Sequence, residues 1–562
     1  MTVRMAQQTP HLHYEFNRPC TNFHGNVRFT PARYCDVWNL WDDSSAARAH
    51  RWKPGMLAIQ EIIRDSEARD MPGRALGANW SLSDAAVTAG CALNMRPLNV
   101  IEVGMRPEHC EERYLRQQQD CGEMRPSDFL AFAQCGATIA ELNTELESRG
   151  LALTTSGASN GQTIVGAVST GTHGAAWQFG GVQDFIVGLH LIAEGGECYW
   201  IEPASRPVMS IGFCDVLGAR LVRDDRLFNA ALVSFGSFGV IHAVVLKVEP
   251  LYLLEEHLAP RPYADAIAAM SDITNSSTSL VLSNTDGIVP TNPPWHFEIL
   301  LNPYAFNVSS AGIAEKAGQS AAYVRYMYKH APTDLRSISP THRLLGPKPS
   351  EQTISVDAFS FLEKLGNLAP LYANTPLAAG LSKQIIEGIL QPDTPDHPGT
   401  ILTPGGMFGA TPLTGQGLSC ELGFAIQDVP KAIEIVIRQI QAFPLACLPS
   451  LRFVGASGGS VAHTCFGPYS CAMEFPAALS DRTTAAYVRI WNALKASGVQ
   501  HTFHWGQCLN WGETPAIARS RLEAVYGQRL ADWLGARRMF LSAKGRKTTF
   551  SNQLLADCGL ND

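Results

Sequence analysis

The chain has 562 residues, of which 46% are hydrophobic and 17% charged, which excludes a disordered or collagen-like polymer. Its 44 Lys and Arg against 51 Asp and Glu leave a formal net charge of −7. With no basic excess to neutralise phosphates, a general nucleic-acid binder is excluded, and at about 150 residues per domain the length predicts two to four domains.

The first residues carry no apolar core of a secretory signal, and no stretch approaches the roughly 18 apolar residues of a membrane span. The 14 cysteines form no CxxC pair and no Cys/His ligand pattern, so they read as reduced, mostly buried thiols with no metal site. These features predict a soluble cytoplasmic protein.

In chain order, residues 1–50 read as an irregular arm rich in His, Asn and aromatics (His11, His13, Tyr14, Phe16, Phe23, His24). A helix is predicted over Met56–Ala68, with Ile59, Ile62 and Ile63 on one face and Pro54 near its start. A turn-like string, Gly77 to Ser81, precedes a short strand at Asn99–Val103, and residues 104–127 read as a polar surface insertion. Thr138 and Glu141 form a capping box for a helix bearing Ile139, Leu142 and Leu146, with Gly150 at its end. Apolar runs at 184–193, 197–202 and 238–249 read as strands. Beyond residue 253, strand candidates (Ser279–Ser283, Trp295–Leu301, Ser419–Ile426, Cys471–Phe475) alternate with helices at Pro430–Ala442 and Thr483–Ser497. Residues 330–415 read as long loops, and a helix is predicted at 515–527. The alternation gives an α+β or α/β class.

Chemistry concentrates in residues 155–174. Gly157, Gly161, Gly166, Gly171 and Gly174 leave backbone accessible, and Ser156, Ser159, Thr163, Ser169, Thr170 and Thr172 add hydroxyls. Composition alone allows two readings: a Gly/Ser-rich surface loop, or a backbone concavity for a pyrophosphate. The segment, with its Gln162-Thr163 pair and its Gly171-Thr172-His173-Gly174 end, resembles the flavin-binding stretch of the vanillyl-alcohol oxidase (para-cresol methylhydroxylase) superfamily. Its nearest likeness is to the sugar-lactone and alditol oxidase branch. Three further segments agree in order: residues 77–81, residues 227–241, and His504-Trp505-Gly506-Gln507.

The resemblance implies an α+β protein with FAD held by a two-subdomain domain over 51–252. A cap, or substrate, domain over 253–500 would carry a mixed or antiparallel sheet flanked by helices, and residues 501–562 would return to the flavin site. By position it implies that Gly77, Ala78, Asn79, Trp80 and Ser81 wrap the pyrophosphate. Gly157, Thr163, Gly166, Thr170, Gly171, Thr172 and His173 would line phosphates and ring, and Val240 and Ile241 would meet the adenine side.

Departures from the family pattern carry information. Trp80 stands where many relatives tether the flavin through a His, and no Cys lies near the Gln-Thr pair, so the resemblance implies non-covalent FAD. The strand pair Glu-x-Arg reads Ser450-Leu451-Arg452, and the Lys of His-Trp-Gly-Lys reads Gln507. Arg452 is then the candidate cation near the ring, or else a surface strand Arg. Glu474 reads as ring-facing or as a salt-bridged framework residue. His504 reads as a base or as a structural ring, and His173 as an orienting residue. Glu298 and Glu421 read as site acids or cross-strand partners. Val165, before Gly166, is bulkier than the small residue common there, which tilts toward a dehydrogenase over an oxidase. Two Gly-x-Ser-x-Gly matches, at Ser159 and Ser457, have no helical pattern after them and argue against a hydrolase elbow.

The function expected is an FAD-dependent oxidoreductase removing a hydride from a C–H next to a hydroxyl, with oxygen or another electron acceptor. Phe359, Phe361, Leu362, Leu365, Leu371, Tyr372, Met407 and Phe408 suggest a less polar substrate, such as a natural-product or sterol-like alcohol. The alternatives are a lactone or alditol oxidase with an altered site, and a flavin-fold protein with a structural role. No nucleic acid and no membrane span is expected.

Overall fold

The computed structural model describes residues 12–39, 51–117, 124–274, 293–332, 400–409, 417–445, 447–509 and 512–562. The predicted strand at Ser279–Ser283 and the apolar side chains from Phe359 to Tyr372 lie outside them. Helices and three main sheets mix as an α+β architecture, and no helix among the described residues is long and apolar enough to cross a membrane.

The first sheet has four strands in the order Leu12–Phe16, Arg33–Val37, Cys91–Asn94, Gly73–Leu76. This corrects the reading of residues 1–50 as irregular. Leu12, Cys35 and Val37 are buried with Ile59, Ile62 and Ile63 of helix Lys53–Ala68, so alternate residues of the arm supply a sheet face. Phe16, by contrast, remains exposed. The second sheet has six strands in the order Arg220–Arg223, Cys198–Glu202, Ile186–Ile192, Val240–Lys247, Leu130–Gln134, Ile101–Val103. The capping box forms: Thr138 Oγ1 accepts from Glu141 N–H and Glu141 from Thr138 N–H, opening helix Ile139–Glu147.

The third sheet has eight strands, all antiparallel. Its order is Thr400–Leu402, Leu253–Arg261, Ala322–His330, His296–Leu301, Ser450–Gly455, Tyr469–Glu474, Glu421–Ala425, Thr502–Phe503. The period-2 alternation of strands splits its faces. Ile299, Leu451, Phe453, Met473, Leu422 and Phe424 enter one apolar core with helices Val429–Ala442 and Asp481–Ala496. The opposite face carries Arg325, Glu298, Arg452, Glu474 and Glu421, brought alongside by the pairings Glu298↔Arg325, Glu298↔Arg452, Ser450↔Glu474 and Glu421↔Glu474.

The apolar faces of the C-terminal helices Pro515–Tyr526 and Gln528–Phe540 join the core of the six-stranded sheet. Leu530, Trp533 and Leu534 share a core with Leu227, Phe228 and Ala231 of helix Asp225–Leu232.

Candidate functional site

A cavity of about 340 Å³ lies where the first loop, the glycine-rich segment and the charged sheet face meet. Of the residues named from sequence, Gly77, Ala78, Asn79, Trp80, Ser81, Gly157, Thr163, Gly166, Thr170, Thr172, His173 and Ile241 line it. Arg452, His504, Gln507 and Glu474 line it too, as does Val165. Gly171 and Val240 do not face it. Gly171 has φ +81° and ends helix Ile164–Thr170 in the left-handed conformation that favours glycine. The Val240 side chain lies in the core cluster that holds Leu93 and Val245, so only its backbone is left for the adenine-side contact that the resemblance implies.

That short helix was not legible as one, because three of the residues from 161 to 171 are glycine. Thr163 caps it, accepting from Gly166 N–H. A Cβ at Gly77 would fall 2.2 Å from Thr163 Oγ1, so the Thr163 side chain sits against the bare backbone of Gly77. Neither Gly-x-Ser-x-Gly match builds a nucleophile. Ser159 Oγ accepts from Gln162, and Ser457 donates to Asp184 Oδ1 at 3.0 Å.

The first loop is pinned on both sides. On one, Asn22 donates to Ser81 O, Asn26 to Leu82 O, and Asn79 to Thr21 O. Phe23 stacks on Trp80 at 4.1 Å and 7°, His24 meets the same indole edge-on, and His24 also lines the cavity. The indole lies over Gly161, where a Cβ would fall 2.4 Å from its ring. On the other side, Leu82 N–H donates to Gly506 O and Ser83 to Trp505 O.

The charged end is a network centred on Arg452. Its Nε donates to Glu298 Oε1 (3.1 Å) and its Nη1 to Glu474 Oε2 (2.6 Å), while Glu421 Oε1 lies 3.7 Å away. Burial would pull the guanidinium down, but the three carboxylates hold it above its ordinary value. Glu298 also accepts from Ser450, and Arg325 bridges Glu298 to Glu256. The carboxylate absent at Ser450 is thus present in space, supplied by neighbouring strands. Glu474 Oε1 accepts from Ser419 (2.8 Å) and Gln507 (3.0 Å).

Burial lowers His504 to about 4, so its ring is neutral. Gly506 N–H donates to His504 Nδ1 at 2.9 Å; the ring proton therefore sits on Nε2, and the ring is a donor with no free lone pair. This geometry supports the structural, hydrogen-bond-donating reading of His504 rather than the reading as a base.

Arg74 was missed. It lines the cavity yet is only 2% exposed, with Nη1 on Phe235 O at 2.7 Å and Nε and Nη2 without a partner. Among the described residues it has no carboxylate partner, and burial and Arg537 lower it to about 9. A buried guanidinium without a counter-ion fits an anionic ligand. The signal in the sequence was a charge sharing the inward face of strand Gly73–Leu76 with Leu76. Together with the glycine backbone, Arg74 makes the residues present fit a diphosphate-bearing cofactor.

A family model described as an FAD binding domain matches residues 56–202. Residues 56–202 are therefore an FAD-binding domain. Over 271 residues it is 28% identical to L-gulono-1,4-lactone dehydrogenase of Mycobacterium tuberculosis, spanning 48% of this chain and about half (50%) of that protein's length. Over 125 residues it is 35% identical to a putative D-arabinono-1,4-lactone oxidase of Neurospora crassa, or 22% of this chain and 19% of that one. Among solved structures, cholesterol oxidase from Brevibacterium sterolicum superposes with a TM-score of 0.66 at 11% identity over 99% of both chains, a likeness of fold. The FAD-binding match ends at residue 202, so it stops short of the charged network centred on Arg452.

Proposed function

We propose that the protein is an FAD-dependent oxidoreductase that removes a hydride from a carbon bearing a hydroxyl. The observation that carries the reading is one cavity joining a glycine-lined, arginine-backed end to an end built from Arg452, Glu474, Glu421, His504 and Gln507. Bound FAD supplies a hydride acceptor; the protein supplies position and electrostatics. Gly77–Ser81 and residues 157–173 hold the cofactor, with Arg74 balancing diphosphate charge. Glu474 takes the hydroxyl proton: its carboxylate lines the cavity and is the most exposed of the three on Arg452, at 14% against 3% for Glu298 and 2% for Glu421. Arg452 holds Glu474 in place, while the neutral His504 donates a hydrogen bond.

Non-covalent binding is part of this proposal, supported by Trp80 at the tether position and its stacking on Phe23. The substrate end favours a polar, hydroxyl-bearing molecule such as a sugar lactone or alditol, because its lining is Ser419, Glu421, Arg452, Glu474, His504 and Gln507. Met407 and Phe408, read from sequence as substrate contacts, pack instead with Tyr252, Leu254 and Met327. A reducing, cytoplasmic setting is supported by free cysteines throughout the described residues.

The test is anaerobic mixing of the FAD-loaded protein with lactones, alditols and apolar alcohols, read by bleaching of the flavin band. Bleaching by a hydroxylated substrate is expected, slowed about 100-fold or more in Glu474→Gln. No bleaching with any alcohol, or a variant as fast as the parent, contradicts the assignment.

A further inference from the structure

Gln507 stands where the lactone and alditol oxidase pattern has a lysine, and so brings no charge to the ring end of the cavity. We propose that His173 and Glu421 hold a permanent proton there, an imidazolium–carboxylate pair that keeps a cationic ring at the cavity and cancels the charge of Glu421, which the neutral Gln507 does not do. The inference rests on the FAD reading above.

Two acceptors face the His173 ring. Nδ1 lies 2.7 Å from Gly174 O, and Nε2 lies 3.0 Å from Glu421 Oε1. A carbonyl oxygen only accepts, so Nδ1 carries a proton. In a neutral ring Nε2 would then present its lone pair to a carboxylate lone pair at hydrogen-bond distance. A second proton lies between them, and it belongs to the ring, because Glu421 has further partners that favour its anion, one guanidinium and one amide donor. Arg452 Nη1 is 3.7 Å from Oε1, and Gln507 Nε2 is 3.4 Å from Oε2. Both side chains are within 2% of full burial, so water does not compete.

The surrounding charges require that proton. From strand Ser450–Gly455, Arg452 is shared by three carboxylates: Glu298, Glu474 of the next strand, and Glu421. Without His173, Glu421 would be a buried anion with a third share of one guanidinium, a costly arrangement. The other two rings of the cluster do not help. His463, 4.8 Å from His173 between centroids and with Nε2 3.9 Å from Glu421 Oε2, makes no hydrogen bond on either nitrogen and is pushed well below its ordinary value by burial. His504, 6.2 Å away, is neutral for the reason given above. For His173 burial works the same way, but Glu421 outweighs it and raises the ring, while Glu421 is held well below the usual carboxylate range despite burial. His173 ends the glycine-rich segment and lines the cavity, so the charge faces the place where negative charge arrives with a hydride.

Two measurements test this. In cofactor-free protein labelled with ¹⁵N-histidine, the His173 ring, identified by its loss in His173→Gln or its displacement in Glu421→Gln, should keep both nitrogens protonated between about pH 5 and 8, where ordinary histidines titrate. A His173 neutral at about pH 7 overturns the proposal. In FAD-loaded protein, His173→Gln, which leaves Glu421 without its counter-charge, should shift the flavin reduction equilibrium at least about tenfold toward the oxidised form, about 30 mV more negative. An unchanged potential also overturns it. Failure of FAD to bind would strike the functional reading and leave the NMR result standing by itself.

Discussion

Single side chains separate what motif spacing reveals from what it hides. Arg452 and Glu474 were legible because they fall at positions of the family pattern that the sequence resembles, and the structure joins them at 2.6 Å. Arg74 was hidden, since a lone arginine in the four-residue strand Gly73–Leu76 carries no pattern; its meaning lies in two unpaired nitrogens. Replacing Arg74 by Met should weaken FAD binding about tenfold to a hundredfold, the range for a charge-assisted hydrogen bond, and leave riboflavin, which lacks the diphosphate, unaffected. Equal losses for both ligands in a fluorescence titration would contradict the role. His504 makes a pH prediction. Its folded value, about 4, lies below its ordinary 6.5. Its contribution to stability is therefore complete above about pH 6.5 and lost as pH falls through about 4, because the folded state resists the proton that the unfolded chain accepts. His504→Gln should flatten that part of the acid limb in thermal melts; a limb of unchanged slope would show that the ring is not buried as described.

At the scale of elements, hydrophobic periodicity located the longer pieces well. Helices Lys53–Ala68, Val429–Ala442 and Asp481–Ala496 and the capped helix Ile139–Glu147 all fall near their expected places. Two kinds of element escaped. Helix Ile164–Thr170 is short and flanked by glycines, so its sequence shows turns. The N-terminal strands Leu12–Phe16 and Arg33–Val37 are rich in polar and aromatic residues, and only Leu12, Cys35 and Val37 are buried. Their pairing depends on Cys91–Asn94, more than fifty residues on, which no local window contains. The arm also supplies Phe23 to the face of Trp80. Such a stack is worth about 1 kcal/mol beyond buried area. Phe23→Ala should therefore weaken FAD binding about fivefold by loosening the first loop, which an equilibrium titration would detect; an unchanged affinity would mean the stack does not support the cofactor site.

At the scale of the whole molecule, the site exists because distant segments close on one cavity. The first loop takes hydrogen bonds from the arm before it and meets residues 505 and 506 more than four hundred positions later. The charged face belongs to the eight-stranded sheet, whose last strand, Thr502–Phe503, leads directly into His504 and Gln507. Sequence order showed which segments belong to a flavin fold, but not that Glu298 and Glu474 from neighbouring strands restore the carboxylate missing at Ser450. That compensation is a matter of cross-strand register, which only pairing defines.

The most direct test of the account is titration of FAD into cofactor-free protein, followed by acid precipitation. One equivalent should bind with quenching of flavin fluorescence, and all of the colour should then appear in the supernatant. A protein that stays colourless with excess FAD would contradict the cofactor site, and colour kept in the pellet would contradict the absence of a covalent bond.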